Sequence, residues 1–346
     1  MSETPQTLRI GIVGAGGNTR LHHIPKLQAI PGVEVAAVAN RSRESGQRVA
    51  DEFGIPAVHE HWWELLADDS LDAVVIGTWP NLHARVTLAA LAAGKHVLCE
   101  ARLARTVAEA RAMVAAADAH PDLITQVVPS PFTLALDTTV SRLLGEGAIG
   151  ELISVDVHER SGFADPDAAI TWRQSTEISG VNIMSLGIWY EAILRWLGEA
   201  ERVSAFARTT VRHRLDPSGI RRPVGIPDHL EVAAEMVSGA LLRILISQAS
   251  GFGPANGVHL YGTDGTLHIG NGQLTLGRRG DAEPTVVEIP EREAIGWRVE
   301  EEFVGAIRGT EVVGRTTFAD GVRYLRFTEA VHRSIREHRQ VALTEL

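Results

Sequence analysis

At 346 residues, 45% of them apolar and 22% charged, the chain reads as globular and too long for one compact core, so two domains are expected. Its formal charge of −10 argues against a broad phosphate-binding surface and so against nucleic acid as a partner. Cys99 is the single cysteine, which excludes an intrachain disulfide and a thiolate metal cluster, and no stretch reaches the roughly 20 apolar residues of a membrane span.

Residues 1–7 are short and polar with no apolar leader, making a cytoplasmic enzyme the expectation. From residue 8 to about 122, short β-branched runs (10–13, 33–38, 73–76, 96–98 and 123–128) alternate with alanine-rich helical stretches such as 82–93, which stops at Gly94. The runs lack polar alternation, as parallel strands buried on both faces do, and the repeated strand–helix order predicts a doubly wound α/β Rossmann domain over residues 1–122. Beyond residue 150 the pattern changes. Residues 152–158, 230–237 and 241–248 alternate, the last two joined at Ser238-Gly239-Ala240 as a hairpin. Short strands follow at 257–261, 266–269 and 273–276, and helices return at 300–307 and 318–335, the last a candidate to cross back to the first domain. Residues 123–346 therefore read as an α+β domain with a large open, mostly antiparallel sheet.

Chemistry is first legible at the glycine-rich loop. Gly14, Gly16 and Gly17 follow the first strand and open a helix, Gly14 for the tight turn and Gly16 for close approach to a pyrophosphate. Thr19 stands at the third glycine position of G-x-G-x-x-G, implying looser strand–helix packing. The second strand ends at Asn40-Arg41-Ser42, without the acidic residue that would take the ribose 2′-hydroxyl of NAD. Arg41 and Ser42 suit a 2′-phosphate instead, so the cofactor is expected to be NADP or NAD, with NADP preferred. His59, His61, Trp62 and Trp63, beside Glu60 and Glu64, read as a surface helix start, and no spacing of ligands points to a metal.

Several segments together resemble the Gfo/Idh/MocA oxidoreductase family, nearly end to end. They are Gly77-Thr78-Trp79-Pro80-Asn81-Leu82-His83, the run from Ala92 to Glu100 (AAGKHVLCE), GAIGEL at 147–152, Tyr261-Gly-Thr-Asp-Gly-Thr-Leu and Phe318-Ala-Asp-Gly. The resemblance implies a small-molecule substrate, sugar-like or polyol-like, bound between the two domains, and a homodimer or homotetramer through the open sheet. It places Gly14, Gly16, Gly17, Asn18 and Thr19 at the pyrophosphate. Thr78, Trp79, Asn81 and His83 would lie beside the ribose and nicotinamide, and Glu100 and Ala101 at the nicotinamide end.

The resemblance fails where the chemistry should be. The family's E-K-P triplet reads Glu100-Ala101-Arg102 here, so its acid/base lysine is Ala101. Its later Asp and His correspond to Ser185 and Trp189. Alcohol oxidation needs an acceptor for the hydroxyl proton, a contribution of about 10²–10⁴-fold. If residues 179–189 are helical, Asn182, Ser185 and Trp189 share a stripe with Tyr190 on its edge, making Tyr190 the first replacement, with Ser185 and His158 as further catalytic candidates. Arg102, Trp172, Arg173, Asn182 and Trp189 are the candidate substrate contacts, the Trp189 indole favouring a flat or apolar substrate by stacking. Three readings stay open: a net oxidoreductase on a sugar, polyol or related cyclic alcohol or ketone, a redox-neutral lyase, hydrolase or epimerase that retains NAD(P), and a non-catalytic nucleotide binder.

Overall fold

The computed structural model describes residues 7–346, and the chain divides into two compact units. The first comprises Met1–Pro129 and Arg298–Val322. Its strands are β1 (Leu8–Val13), β2 (Val33–Ala39), β3 (Ala57–His59), β4 (Ala73–Ile76), β5 (His96–Cys99) and β6 (Thr125–Val127). Between them run α1 (Ile24–Ala29), α2 (Arg43–Phe53), α3 (Trp62–Leu66), α4 (Pro80–Ala92) and α5 (Val107–Asp118). Every pairing is parallel and the order is β3-β2-β1-β4-β5-β6, so the order reverses beside β1, where doubly wound sheets bind their ligands. Ile10, Ile12, Val74 and Val75 have no exposed surface, which is why these strands carry no polar alternation. β3, half-buried and only three residues long, gives no periodic signal and was not expected.

The first unit also ends later than residue 122. β6 pairs in parallel with β5, so residues 123–128 extend the first sheet rather than opening the second domain. The segment that returns is not the last helix alone. Arg298–Val322 supplies Glu300 to His23 and the Arg315 and Thr316 carbonyls to Gln126 Nε2 (2.8 Å) and the Val127 amide (3.1 Å).

The second unit, Ser130–Trp297 with Arg323–Leu346, contains α6 (Asp137–Gly145), α7 (Thr176–Ser179) and α8 (Leu186–Leu197). Its strands are β7 (Leu152–Arg160), β8 (Ala200–Arg208), β9 (His213–Leu215), β10 (Arg221–Pro223), β11 (His229–Met236), β12 (Leu241–Ser247), β13 (Gly257–Gly262), β14 (Gly265–Gly270), β15 (Gln273–Arg278), β16 (Thr285–Val286) and β17 (Val341–Ala342). The last two helices of the chain are α9 (Val299–Ile307) and α10 (Phe318–Glu337). Nine strands form one sheet in the order β16-β15-β14-β13-β7-β12-β11-β8-β17, antiparallel except for β7 against β12. Period-2 alternation sends Val155, Val157, Val232, Ile244, Ile246, Val258 and Leu260 to the buried face. The other face is not the apolar expanse that an open sheet suggests. Phe206, Leu241 and Tyr261 share it with Arg202, Glu231, Glu235, Arg243, Asp156 and His259. Apolar exposure therefore gives no argument for self-association.

Candidate active site

In the first unit, Gly14 has φ +84° and its missing Cβ would lie 2.6 Å from Thr78 Cγ2 and 2.9 Å from the Thr78 amide. Only glycine admits both the turn and that approach. Thr19 does not loosen the packing as its position suggested. It is buried against Gly77, where a Cβ would collide with its hydroxyl, and the extra bulk is accommodated by a wide π-helical turn over Thr19–His23.

A pocket of about 520 Å³ opens on this loop. Among the residues expected at the cofactor, Gly14, Gly16, Asn40, Arg41, Thr78, Trp79 and Asn81 line it. Asn81 Oδ1 is buried there without a donor among the described residues, and the Arg41 guanidinium is exposed with no ion-pair partner among them. An orphan acceptor, an unpaired cation and a glycine cradle fit a phosphorylated nucleotide. Ser42 is not on the wall. Its hydroxyl accepts from the Ser45 amide (3.3 Å) as the cap of α2, and Ser45 lines the pocket instead. Residues 60–62 begin a surface helix as expected, but Glu60, His61 and Trp62 also wall the pocket. The clue was positional: they directly follow β3, the strand next to β2.

Other residues expected at the nucleotide lie beneath it. His83 is fully buried, its ring nitrogens 3.0 Å from the Arg102 and Thr78 carbonyls, and burial holds its pKa below the ordinary value. It ties two loops together and does not line the pocket. Asn18 donates to Glu100, whose Oε1 also accepts from His23 Nε2 (3.0 Å) and whose Oε2 accepts from the Ala101 amide (3.0 Å). On its far side His23 Nδ1 meets Glu300 at 2.6 Å. Burial alone would lower the His23 pKa, but the two carboxylates outweigh it and raise it to about 9, so the ring is an imidazolium donating to both. Burial would likewise raise Glu100, yet His23 and Asn18 hold it below the ordinary carboxylate value. Gly17 stands in open space, and Cys99 is buried with its thiol pushed up by burial, so it is not a nucleophile.

In the second unit α8 starts only at Leu186, with Ser185 as its cap, and the preceding turn carries positive φ at Gly180 and Met184. The helical stripe through Asn182 therefore does not exist. Asn182 is buried and its Nδ2 donates to the Ser179 carbonyl (2.7 Å), so it belongs to the turn before α8 rather than to a helical face. Tyr190 is no base either. Its ring stacks on Phe327 at 3.7 Å, its hydroxyl accepts from the Ala200 amide (2.8 Å), and burial pushes its pKa up. His158, with the parity of Asp156 on β7, faces the polar side of the sheet. Trp189 is 7% exposed with its ring against Phe132, so it offers no face for stacking. Arg173 lies 4.3 Å over the Trp172 ring, has no ion pair among the described residues and lines a cavity of about 130 Å³ with Arg214. Arg102 belongs to the first unit.

What the helix does bring together was missed. Ser185 Oγ (2.7 Å) and Trp189 Nε1 both donate to Oε2 of Glu159 on β7. The signal was there, since Glu159 has the inward parity of Val155 and Val157, and a carboxylate on the buried face of a strand requires a reason.

Residues 8–127 match the family model described as "Oxidoreductase family, NAD-binding Rossmann fold", and residues 138–268 match "GFO/IDH/MocA C-terminal domain". The chain is 30% identical over 268 residues to 1,5-anhydro-D-fructose reductase of Ensifer adhaerens, covering 77% of each protein. It is 26% identical over 288 residues to levoglucosan dehydrogenase of Pseudarthrobacter phenanthrenivorans, covering 76% of this chain and 73% of that one. A solved levoglucosan dehydrogenase in complex with NADH and L-sorbose superposes with a TM-score of 0.84 at 22% identity, over 97% of this chain and 98% of that one.

Proposed function

As a member of the Gfo/Idh/MocA oxidoreductase family, this chain, we propose, oxidises or reduces a sugar, polyol or related cyclic alcohol or ketone with a nicotinamide nucleotide. The observation that carries this reading is the pocket at the glycine loop, with its orphan Asn81 acceptor and unpaired Arg41. The amides of residues 14–16 would hold the pyrophosphate, and Thr78, Trp79 and Asn81 the ribose that follows it. When bound, the nucleotide supplies or accepts a hydride. Relatives named for D-xylose, levoglucosan and inositol support the substrate class.

NADP is the preferred form in this reading, Arg41 and Ser45 taking the 2′-phosphate where an acidic residue would repel it. Fluorescence titration should find NADPH bound more tightly than NADH, with Arg41→Ala weakening NADPH alone by about tenfold or more. Equal affinities in the wild type would remove the preference. A steady change in nicotinamide absorbance during turnover separates this reading from a redox-neutral one, in which none accumulates.

A further inference from the structure

Buried carboxylates of the second unit are matched by cations: Asp137 and Glu191 by Arg195, Glu293 by Arg142. Glu159 is handled differently. It is half-buried, forms no ion pair among the described residues, and receives two neutral donors, Ser185 Oγ and Trp189 Nε1, both on Oε2. Oε1 meets no donor among the described residues and remains within reach of solvent. One oxygen is thus fixed and the other is free to accept. A counter-ion would occupy that free oxygen, whereas two neutral donors on Oε2 aim the group and leave Oε1 open.

The alternatives in this unit fail on geometry. The Tyr190 hydroxyl is consumed by the Ala200 amide, His158 faces the other side of the sheet, and Glu191 is paired with Arg195 and the Ser130 amide. Moreover, the donors holding Glu159 are the residues standing where the resembling sequences carry Asp and His. The side chains that replaced the acid/base groups have become the mount for a carboxylate from the neighbouring strand.

We propose that Glu159 is the proton acceptor of the reaction, with Ser185 and Trp189 as its positioning residues; this rests on the function proposed above. In the oxidative direction the substrate O–H bond breaks and its proton passes to Glu159 Oε1. The oxygen's electron pair becomes the second bond of the carbonyl as the carbinol hydrogen leaves with two electrons as hydride, the oxidant being an oxidised nicotinamide nucleotide. In reduction the same oxygen returns the proton.

The test uses the full chain with levoglucosan, D-xylose and 1,5-anhydro-D-fructose as probes, each with either nucleotide. In Glu159→Gln the amide oxygen still accepts from Ser185 and Trp189, so the packing is kept and only the base is lost. Turnover should fall by about a hundredfold or more, while nucleotide affinity by fluorescence and probe affinity by calorimetry stay within about twofold. Glu159→Ala should lose turnover similarly, and added formate should restore it in a saturable way, which a purely structural role would not allow. Ser185→Ala and Trp189→Phe should lower kcat several-fold with KM little changed. Glu159→Gln turning over at the wild-type rate would overturn the inference and leave the proposed function standing. Wild-type protein that turns over none of the probes would overturn both.

Discussion

The nucleotide pocket of the first unit and the carboxylate cluster of the second are built on opposite principles. The first is organised around main chain: a loop at the end of β1 whose shape depends on Gly14 having no side chain beside Thr78, with side chains such as Arg41 and Asn81 added from neighbouring strand ends. The second is all side chain, with Glu159 from one strand held by Ser185 and Trp189, the cap and first turn of a helix, 26 and 30 residues later. A main-chain cradle tolerates few sequences and so persists as a recognisable string. A side-chain constellation can exchange every member, provided one group of the right chemistry reaches the same point.

That contrast can be broken most decisively at Gly14. Gly14→Ala should cost up to about 5 kcal/mol, from left-handed strain and the collision with Thr78, and abolish measurable nucleotide binding by fluorescence. Gly17→Ala, in open space, should leave affinity within about twofold. If both behave alike, the cradle is not what holds the nucleotide.

His23 asks whether the first unit also leans on side chains. Its folded pKa of about 9 lies above the ordinary value of 6.5, so the stabilisation is fully present below pH 6.5 and is lost as pH rises through 9. Urea unfolding should show stability falling by on the order of 2–3 kcal/mol between pH 7 and pH 10. His23→Gln should be less stable at pH 7 and flat across that range. A wild type equally stable at both ends would mean the ring is neutral when buried.

The smallest effect is expected at Tyr190. Tyr190→Phe should leave turnover within about twofold and cost about 1–2 kcal/mol in urea, because the Ala200 amide loses its acceptor. A tenfold loss of turnover with unchanged stability would move the chemistry to this tyrosine and away from Glu159.

Much of the fold was legible because burial leaves periodic marks: the unbroken runs of β1, β4 and β5, and the alternation of β7, β11 and β12. β3 and the strands β9, β10, β16 and β17, at two or three residues, are too short to show a period. In the sites, Gly14, Gly16, Asn40, Arg41, Thr78, Trp79 and Asn81 share the wall of one pocket, since position within a strand–turn–helix fixes them. His83 was misplaced because a polar residue on a motif can as well satisfy nearby carbonyls as line a pocket. Tyr190 was misplaced by assuming helix through residues 179–185, where the chain instead turns at Gly180 and Met184.

The return of residues 298–322 to the first unit has a consequence for the order of synthesis. The ribosome releases β1 to β6 first, yet Glu300, which closes over His23, and the Arg315 and Thr316 carbonyls, which close over Gln126 and Val127, emerge some 170 residues later. Until then a charged imidazole and the edge strand of the first sheet await their partners. The half of the molecule that is begun first therefore stays incomplete until most of the other has been made, and its sequence separation puts a slow, non-local step at the end of its folding.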